Sequence, residues 1–480
     1  MSGLLGIARS ALLAHQTALQ TVSNNIANAE TPGYSRQEVQ LTPSPTSRMT
    51  YGNVGTGVSI TSIIRKRNVL LDDGVRTASG NAGYADMKRD LLQRVEEVFG
   101  EPSEGGLVSA MDQFWNAWSD LSSSPNSLAA RSVVQQRGRQ VAQTFNDLDT
   151  ALTQQRMAGL EQAQATVDRI NTLATQVADL NGRIASSGGG QPSNELLDQR
   201  DLMLDELSRV AGSRTIPQAD GNITVMMGNS TLVDGSTAVP LTLFLQPPTP
   251  APTTPLTDVP VKVRLGDSLT PLAQLAGELK AISETLNDTI PGLRTRLDEM
   301  ATQLATSVNS VHSGGYVFSG NTIPGTAAGN FFDAGTVANP VRAATLSLTS
   351  AIAQDSSKIA ASANINGPTD NTVARNLASL RIAENVVSYT SSTGSVEQGT
   401  FGGFFRGVLT RLGAETAAAA DSADVSTTLV SQAEARRQSV SGVNTDEELV
   451  TMLRVQQSYQ AATKLVKTAD EMLQTLLSMI

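Results

Sequence analysis

Apolar residues recur at alternating steps of three and four at both ends of the chain. Near the N-terminus the stripe is Leu5, Ala8, Leu12, His15, Leu19, Val22 and Ile26. Near the C-terminus it is Met452, Val455, Tyr459, Ala462, Val466, Ala469, Leu473, Leu476 and Ile480. This alternation keeps one seam of a helix against a partner helix. Residues 1–30 carry only Arg9 and Glu30 as charges. Ordering such a segment costs about 1–2 kcal/mol per residue, whereas each large side chain contributes only about 1.5–3 kcal/mol when buried. Neither terminal helix is expected to fold alone; each needs the other terminus or another subunit. The residues expected at that assembly interface are Leu5, Leu12, Leu19, Val22, Ile26, Val455, Tyr459, Val466, Leu473, Leu476 and Ile480.

The first helix, over 4–28, is stopped by Thr31-Pro32-Gly33. Residues 34–64 are rich in Thr, Ser, Pro and Gly and predict an extended or hairpin segment. Helical periodicity resumes near Val69 and runs to about Ile184, interrupted near Pro102 and Pro125. A further helix opens at Asn194 and reaches about Val210. The period then changes. Asp220-Gly221, Gly228-Asn229 and Asp234-Gly235 punctuate an alternating run through Ile223, Val225 and Met227, which predicts a β-meander. Prolines between 247 and 260 predict a stiff tether, and 259–265 one more strand. Helix is expected again from about Pro271 to His312, with a bend at Pro291, then through 370–390 and 402–440. Gly-rich residues 313–368 hold short strands near Tyr316 and Leu346.

The expected class is mainly α: coaxial terminal helices and an elongated helical bundle, with a small β-rich insertion. The expected units are 1–60 (axial helix and extended segment), 61–211 and 269–440 (the two parts of the helical rod, the Gly-rich loops at 313–368 in the second), 212–268 (the insertion) and 441–480 (C-terminal axial helix). The simplest topology places both ends at one pole and the β-rich part at the other, with few contacts crossing the base of the insertion.

Composition narrows the function. Charged residues are 17% and aromatics 4%, and the net charge is −10, which argues against nucleic-acid binding or a polybasic membrane contact. The longest basic run is Arg65-Lys66-Arg67. Without cysteine there is no disulfide or thiolate chemistry. No apolar run reaches the ~18 residues needed to span a bilayer, and polar residues break any signal-peptide core near the N-terminus.

Candidate chemistry is sparse. His15 reads as a packed seam residue. His312 ends a helix, where a cation suits the dipole. Glu195, Asp198, Asp201 and Asp205 lie at steps of three and four on one helix. Paired acids serve glycan hydrolysis, but Arg200 and Arg209 interleave these four, and they read as a solvated face. Phosphate-loop and nucleophile-elbow motifs are absent. No enzymatic activity, metal or cofactor is expected.

Ser23-Asn24-Asn25-Ile26-Ala27-Asn28 followed by Thr31-Pro32-Gly33-Tyr34-Ser35-Arg36-Gln37 resembles the N-terminal signature of bacterial flagellar axial proteins. Ser441-Gly442-Val443-Asn444, Asp446-Glu447-Glu448, Gln456 to Ala462 and Thr468 to Met472 are similar to the C-terminal signature. Within that group, Pro192 to Asp201 and the turn-rich segment to Gly235 resemble the hook-associated family of the FlgK type. Tyr316-Val317-Phe318-Ser319-Gly320 resembles a motif of the two hook–filament junction proteins. The resemblance implies a structural adaptor ring between hook and filament, at the extracellular flagellum. It implies terminal helices lining an export channel and secretion through the flagellar export apparatus. The implied partners are further copies of the chain, the hook protein, the second junction protein and an export chaperone at the C-terminal region. An outer domain found in some relatives is expected to be reduced or missing. The alternatives are another axial subunit, such as a hook or rod protein, and a secreted translocator with membrane-inserting amphipathic helices.

Overall fold

The computed structural model describes residues 2–50, 52–100, 105–187, 193–246, 259–268, 270–318, 323–336, 339–390, 394 and 396–478. The Pro-rich tether at 247–258, Pro192, Ser319-Gly320 and Ile480 lie outside them.

The chain begins with α1 (Ser2–Ala27). An extended arm follows, in which β1 (Gln37–Pro43) pairs antiparallel with β4 (Val58–Arg65) and β2 (Ser47–Met49) with β3 (Gly52–Val54). Four helices come next: α2 (Val69–Phe99), α3 (Leu107–Ser123), α4 (Leu128–Ala185) and α5 (Asn194–Ala211). Their ends follow local chemistry. The Asn68 side chain accepts from Leu70 N–H at 3.0 Å, and Ser127 Oγ accepts from Ala130 N–H at 3.1 Å, each satisfying a free donor in the first turn. Gly212 closes α5 at φ 60°, where a side chain is disfavoured, and a Cβ there would lie 2.3 Å from that of Ala276. At 58 residues and 1.5 Å per residue, α4 is about 87 Å long and forms the spine of the molecule.

The insertion is a four-stranded antiparallel meander of β5 (Arg214–Pro217), β6 (Ile223–Met227), β7 (Ser230–Asp234) and β8 (Thr237–Ala238). A hairpin of β9 (Leu241–Leu245) and β10 (Val261–Leu265) completes it. After it, α6 (Gly277–Glu284) leads through a π-helical turn, Thr285–Thr289, into α7 (Ile290–His312). Helix therefore starts six residues later than Pro271. Leu272 and Leu275 instead pack as loop residues against the apolar cluster beneath. Pro291, the expected site of a bend, stands in the first turn of α7 directly after this wider turn. Then come β11 (Tyr316–Val317), β12 (Thr326–Ala327), α8 (Ser350–Gln354) and α9 (Thr372–Ser379). The hairpin of β13 (Val387–Thr390) and β14 (Val396–Gly399) precedes α10 (Phe401–Ser441) and α11 (Thr445–Ser478). The helix expected through 390 thus ends at Ser379. Asn385 takes a left-handed φ of 60°, and Val386, Val387 and Tyr389 favour a strand over a helix. The chain is mainly α with a small β-rich insertion.

Three apolar clusters lie in series along α4. One joins Val134 to Leu152 of α4 with Phe114 and Trp118 of α3, Ile290 to Val308 of α7, Phe331, Phe332 and Phe401 to Leu412 of α10. A small one holds Leu91, Ala163, Val261, Ile282 and Leu286. The third joins Val167 to Ala178 of α4 and Leu204 to Ala211 of α5 with Ile223, Val225, Leu232, Val233, Leu241 and Val263 of the insertion. The insertion is therefore not at the pole opposite the termini. It lies along the half of the rod nearer to them, and its strands share one core with α4 and α5, so its base is not sparsely contacted. The far pole is built from α3, the start of α10 and the segment around Phe331.

His312 departs from its expected role as a cation at a helix end. It is fully buried, its Nδ1 lies 2.7 Å from Gly329 O, and its Nε2 accepts from Ala360 N–H at 3.0 Å. Burial pulls its pKa down to about 4, so it is neutral in the fold, with Nδ1 carrying the proton.

Candidate assembly interface and its anchor

Helices α1 and α11 pack against each other, antiparallel, and the last turn of α1 meets the first of α11. On α1 the buried positions are Ala8, Ala14, Thr21, Val22 and Asn25, while Leu5, Leu12, His15, Leu19 and Ile26 are half-buried. The packed face is thus rotated slightly from the stripe read in the sequence. On α11, Ala462 and Ala469 are buried, Met452, Val455, Val466 and Leu473 are half-buried, and Tyr459 is 37% exposed. Leu476 lies on α11, but its side chain is not among those described. Much of the expected interface therefore faces the chain's own other end. Outside it, Leu449, Val450, Leu453, Leu465 and Met472 of α11, Leu4 and Leu13 of α1, and Val425, Leu429 and Val440 of α10 are exposed.

The Asn-rich motif now has a physical role. Asn25 is 1% exposed, and its amide makes four hydrogen bonds. Nδ2 donates to Gln37 O and to Glu448 Oε2, both at 2.9 Å; Oδ1 accepts from Gln37 N–H at 3.0 Å and from Tyr34 OH at 2.8 Å. Every donor and acceptor valence of the amide is used. Glu448 is 1% exposed and takes Arg36 Nε at 2.8 Å on its other oxygen. Burial, then the carboxylates of Asp198, Glu195 and Glu448, push the Tyr34 hydroxyl well above its ordinary pKa, so it stays a donor.

Beyond this, the arm is fastened to the rod by ion pairs. Ser35 gives Asp198 two hydrogen bonds, from its N–H at 3.1 Å and its Oγ at 2.7 Å. Arg65 bridges Asp198 at 2.7 Å and Asp201 at 2.8 Å. Arg67 holds Asp72 at 2.6 Å and Asp201 at 3.3 Å. Arg76 holds Asp201 at 3.1 Å and Asp205 at 2.9 Å, and Arg437 of α10 closes on Asp205. Burial alone would raise the Asp201 carboxyl, but Arg67, Arg65 and Arg76 outweigh it and hold it below the usual carboxylate range. The reading of Asp198, Asp201 and Asp205 as a solvated face is overturned: the first two are each 7% exposed. Glu195 alone of the four is exposed. Arg200 and Arg209 do not answer this row. Arg200 turns to Asn181 Oδ1 and Gly221 O, and Arg209 to Asp86 and Glu278.

Among the described residues no group of three or more His, Asp or Glu side chains is placed to hold a metal ion, and no helix is long and apolar enough to cross a membrane.

A family model described as the flagellar hook-associated protein FlgK helical domain matches residues 92–332. Flagellar hook-associated protein 1 of Bacillus subtilis (strain 168) is 30% identical over 500 residues, covering 98% of this chain and 96% of that protein. The chain belongs to the FlgK family of flagellar hook-associated proteins. Models described as the flagella basal body rod protein and the flagellar basal body rod FlgEFG protein C-terminal match residues 5–34 and 436–479, which hold α1 and α11. Flagellar hook-associated protein 1 of Salmonella typhimurium is 29% identical over 327 residues, 67% of this chain and 58% of that protein. A solved structure, the flagellar hook junction protein FlgK from Burkholderia pseudomallei, shares the fold. Its TM-score is 0.63 at 16% identity, covering 77% of this chain and all of that one. FlgK-family membership makes this chain a structural component of the bacterial flagellum.

Proposed function

We propose that the chain is a structural adaptor that forms a ring joining the flagellar hook to the filament, outside the cell. In this reading the α1–α11 pairs of successive copies stand side by side around the export channel, and the rod of α2 to α10 makes the next layer of contacts. The observation that carries it is the exposed apolar set on the outside of the pair, Leu4, Leu13, Leu449, Leu453 and Leu465, which its intramolecular seam leaves uncovered. Such a surface on both chain ends favours burial against neighbouring copies. The hook protein and the second junction protein are the proposed axial neighbours. An export chaperone covering the C-terminal region would shield the same apolar residues before assembly. The 96% coverage of the Bacillus subtilis relative supports a whole-protein role of this kind.

Electron microscopy of a deletion strain tests the reading. Hooks without filaments, with flagellin released to the medium, is the expected result. Normal filaments on the deletion strain overturn it.

A further inference from the structure

The α1–α11 seam has a register problem. Its fully buried apolar members are small: Ala8, Ala14 and Val22 on one side, Ala462 and Ala469 on the other. Ala462 and Ala469 are themselves one heptad apart. Sliding α11 by seven residues sets alanine where alanine was and Val455 where Ala462 was, so apolar packing scarcely distinguishes the two registers.

We infer that the buried Asn25–Glu448 hydrogen bond, braced by Arg36, is the pin that fixes the register of the two terminal helices. Glu448 is the first member of the row Glu448, Val455, Ala462, Ala469, and the only charged residue among the seam positions of α11. In the observed register its two oxygens are answered by Asn25 Nδ2 at 2.9 Å and Arg36 Nε at 2.8 Å. A slip of one heptad brings it opposite Ala18, with no donor, or past the end of α1 opposite Pro32. A carboxylate buried without partners is strongly disfavoured, so the pair acts against the wrong register more than for the right one. Asn25 suits this position because its remaining valences are spent on Gln37 and Tyr34 of the arm, which locks the pin to the rod as well. Asn25 and Glu448 are positioning residues. The register they set determines how Leu4 and Leu13 are offset from Leu453 and Leu465, hence the surface shown to a neighbour; that consequence alone rests on the adaptor reading.

The chain has no cysteine, so disulfide mapping is clean. Ala8→Cys is combined with a cysteine placed in turn at each position from 459 to 473, in full-length protein assembled into flagella. The native pair should give one band of cross-linking positions. Asn25→Leu with Glu448→Leu should give two bands seven residues apart. A single unshifted band in that variant overturns the inference while leaving the adaptor reading untouched. If the Leu/Leu variant does not assemble, the same cross-linking scan on the purified full-length monomer decides. Two bands in the variant against one in the native background support the pin, and a single unshifted band overturns it.

Discussion

Arg65, the last residue of β4, places Nη1 2.8 Å from Asp201 Oδ2, across 136 residues of chain. The contact couples the N-terminal arm to α5, and Arg67 and Arg76 converge on the same carboxylate. Asp201→Asn leaves three guanidinium groups facing a neutral amide. The expected loss is about 3 kcal/mol, in the range for breaking a buried ion pair. Because the folded carboxyl sits below its unfolded value, its contribution is present above the unfolded pKa of about 4 and is lost as pH falls further. Denaturant titrations of the two proteins should differ at pH 7 and converge in strong acid; equal stabilities at pH 7 would contradict the coupling.

His312 supplies a second pH test, in mild rather than strong acid. Its folded pKa of about 4 lies below the unfolded value of about 6.5, so the unfolded chain binds the proton first and stability falls as pH drops through that window. The expected contribution to the loss between pH 7 and pH 5 is about 2 kcal/mol. His312→Gln should be less stable at pH 7 but lack this part of the slope, as chemical denaturation at several pH values will show.

Gly83 of α2 faces α5 so closely that a Cβ would lie 2.3 Å from Arg209 O. Backbone cannot yield as a side-chain tip does. Gly83→Ala should therefore destabilise by about 1–3 kcal/mol, despite alanine's better helix propensity. An unchanged or raised melting temperature would show that the two helices have room to separate.

Replacing residues 214–268 with a short Gly/Ser linker uncovers Val167, Ile170, Leu173 and Val177 on α4 and Leu207 and Val210 on α5. The remainder is expected to bind hydrophobic dye and to lose its cooperative calorimetric transition. Retention of a sharp transition would mean that this cluster contributes little to the rod.

The two faces of α11 should respond differently to charge. Leu453→Asp alters a residue 59% exposed, so the monomer's circular dichroism should be unchanged while filament attachment is lost. Ala469→Asp places a carboxylate at a site 1% exposed, so the helix pair itself should melt. Normal swimming with Leu453→Asp would remove the outer face from the assembly surface.

Periodicity and punctuation made most of the helices legible: α1, α4, α5, α10 and α11 begin and end within a few residues of where apolar steps, caps and breakers place them. The hairpin at 387–399 was not legible, because a helical period through Ala374 and Leu377 runs directly into β-branched residues with no Gly or Pro between. The anchor was half visible. Arg65 and Arg67 stood out in the longest basic run, and Asp198, Asp201 and Asp205 as a row at helical spacing. Nothing local pairs them, since their separation in the chain exceeds 130 residues. The seam was legible as a face that needs a partner. Heptad spacing alone cannot say whether the partner is the other end of the same molecule or a second molecule, and Asn25, lying beside the stripe rather than on it, carried no apolar signal.

The three apolar clusters along α4 hold very unequal numbers of buried residues, and a loaded beam flexes where it is least braced. In this rod the least braced stretch is the small cluster around Ala163 and Leu286, beside the π-helical turn and the buried guanidinium of Arg156, which spans to Val259 O at 2.6 Å. In the adaptor reading proposed above, a subunit set between hook and filament would take up strain there, with the stout ends keeping their shape.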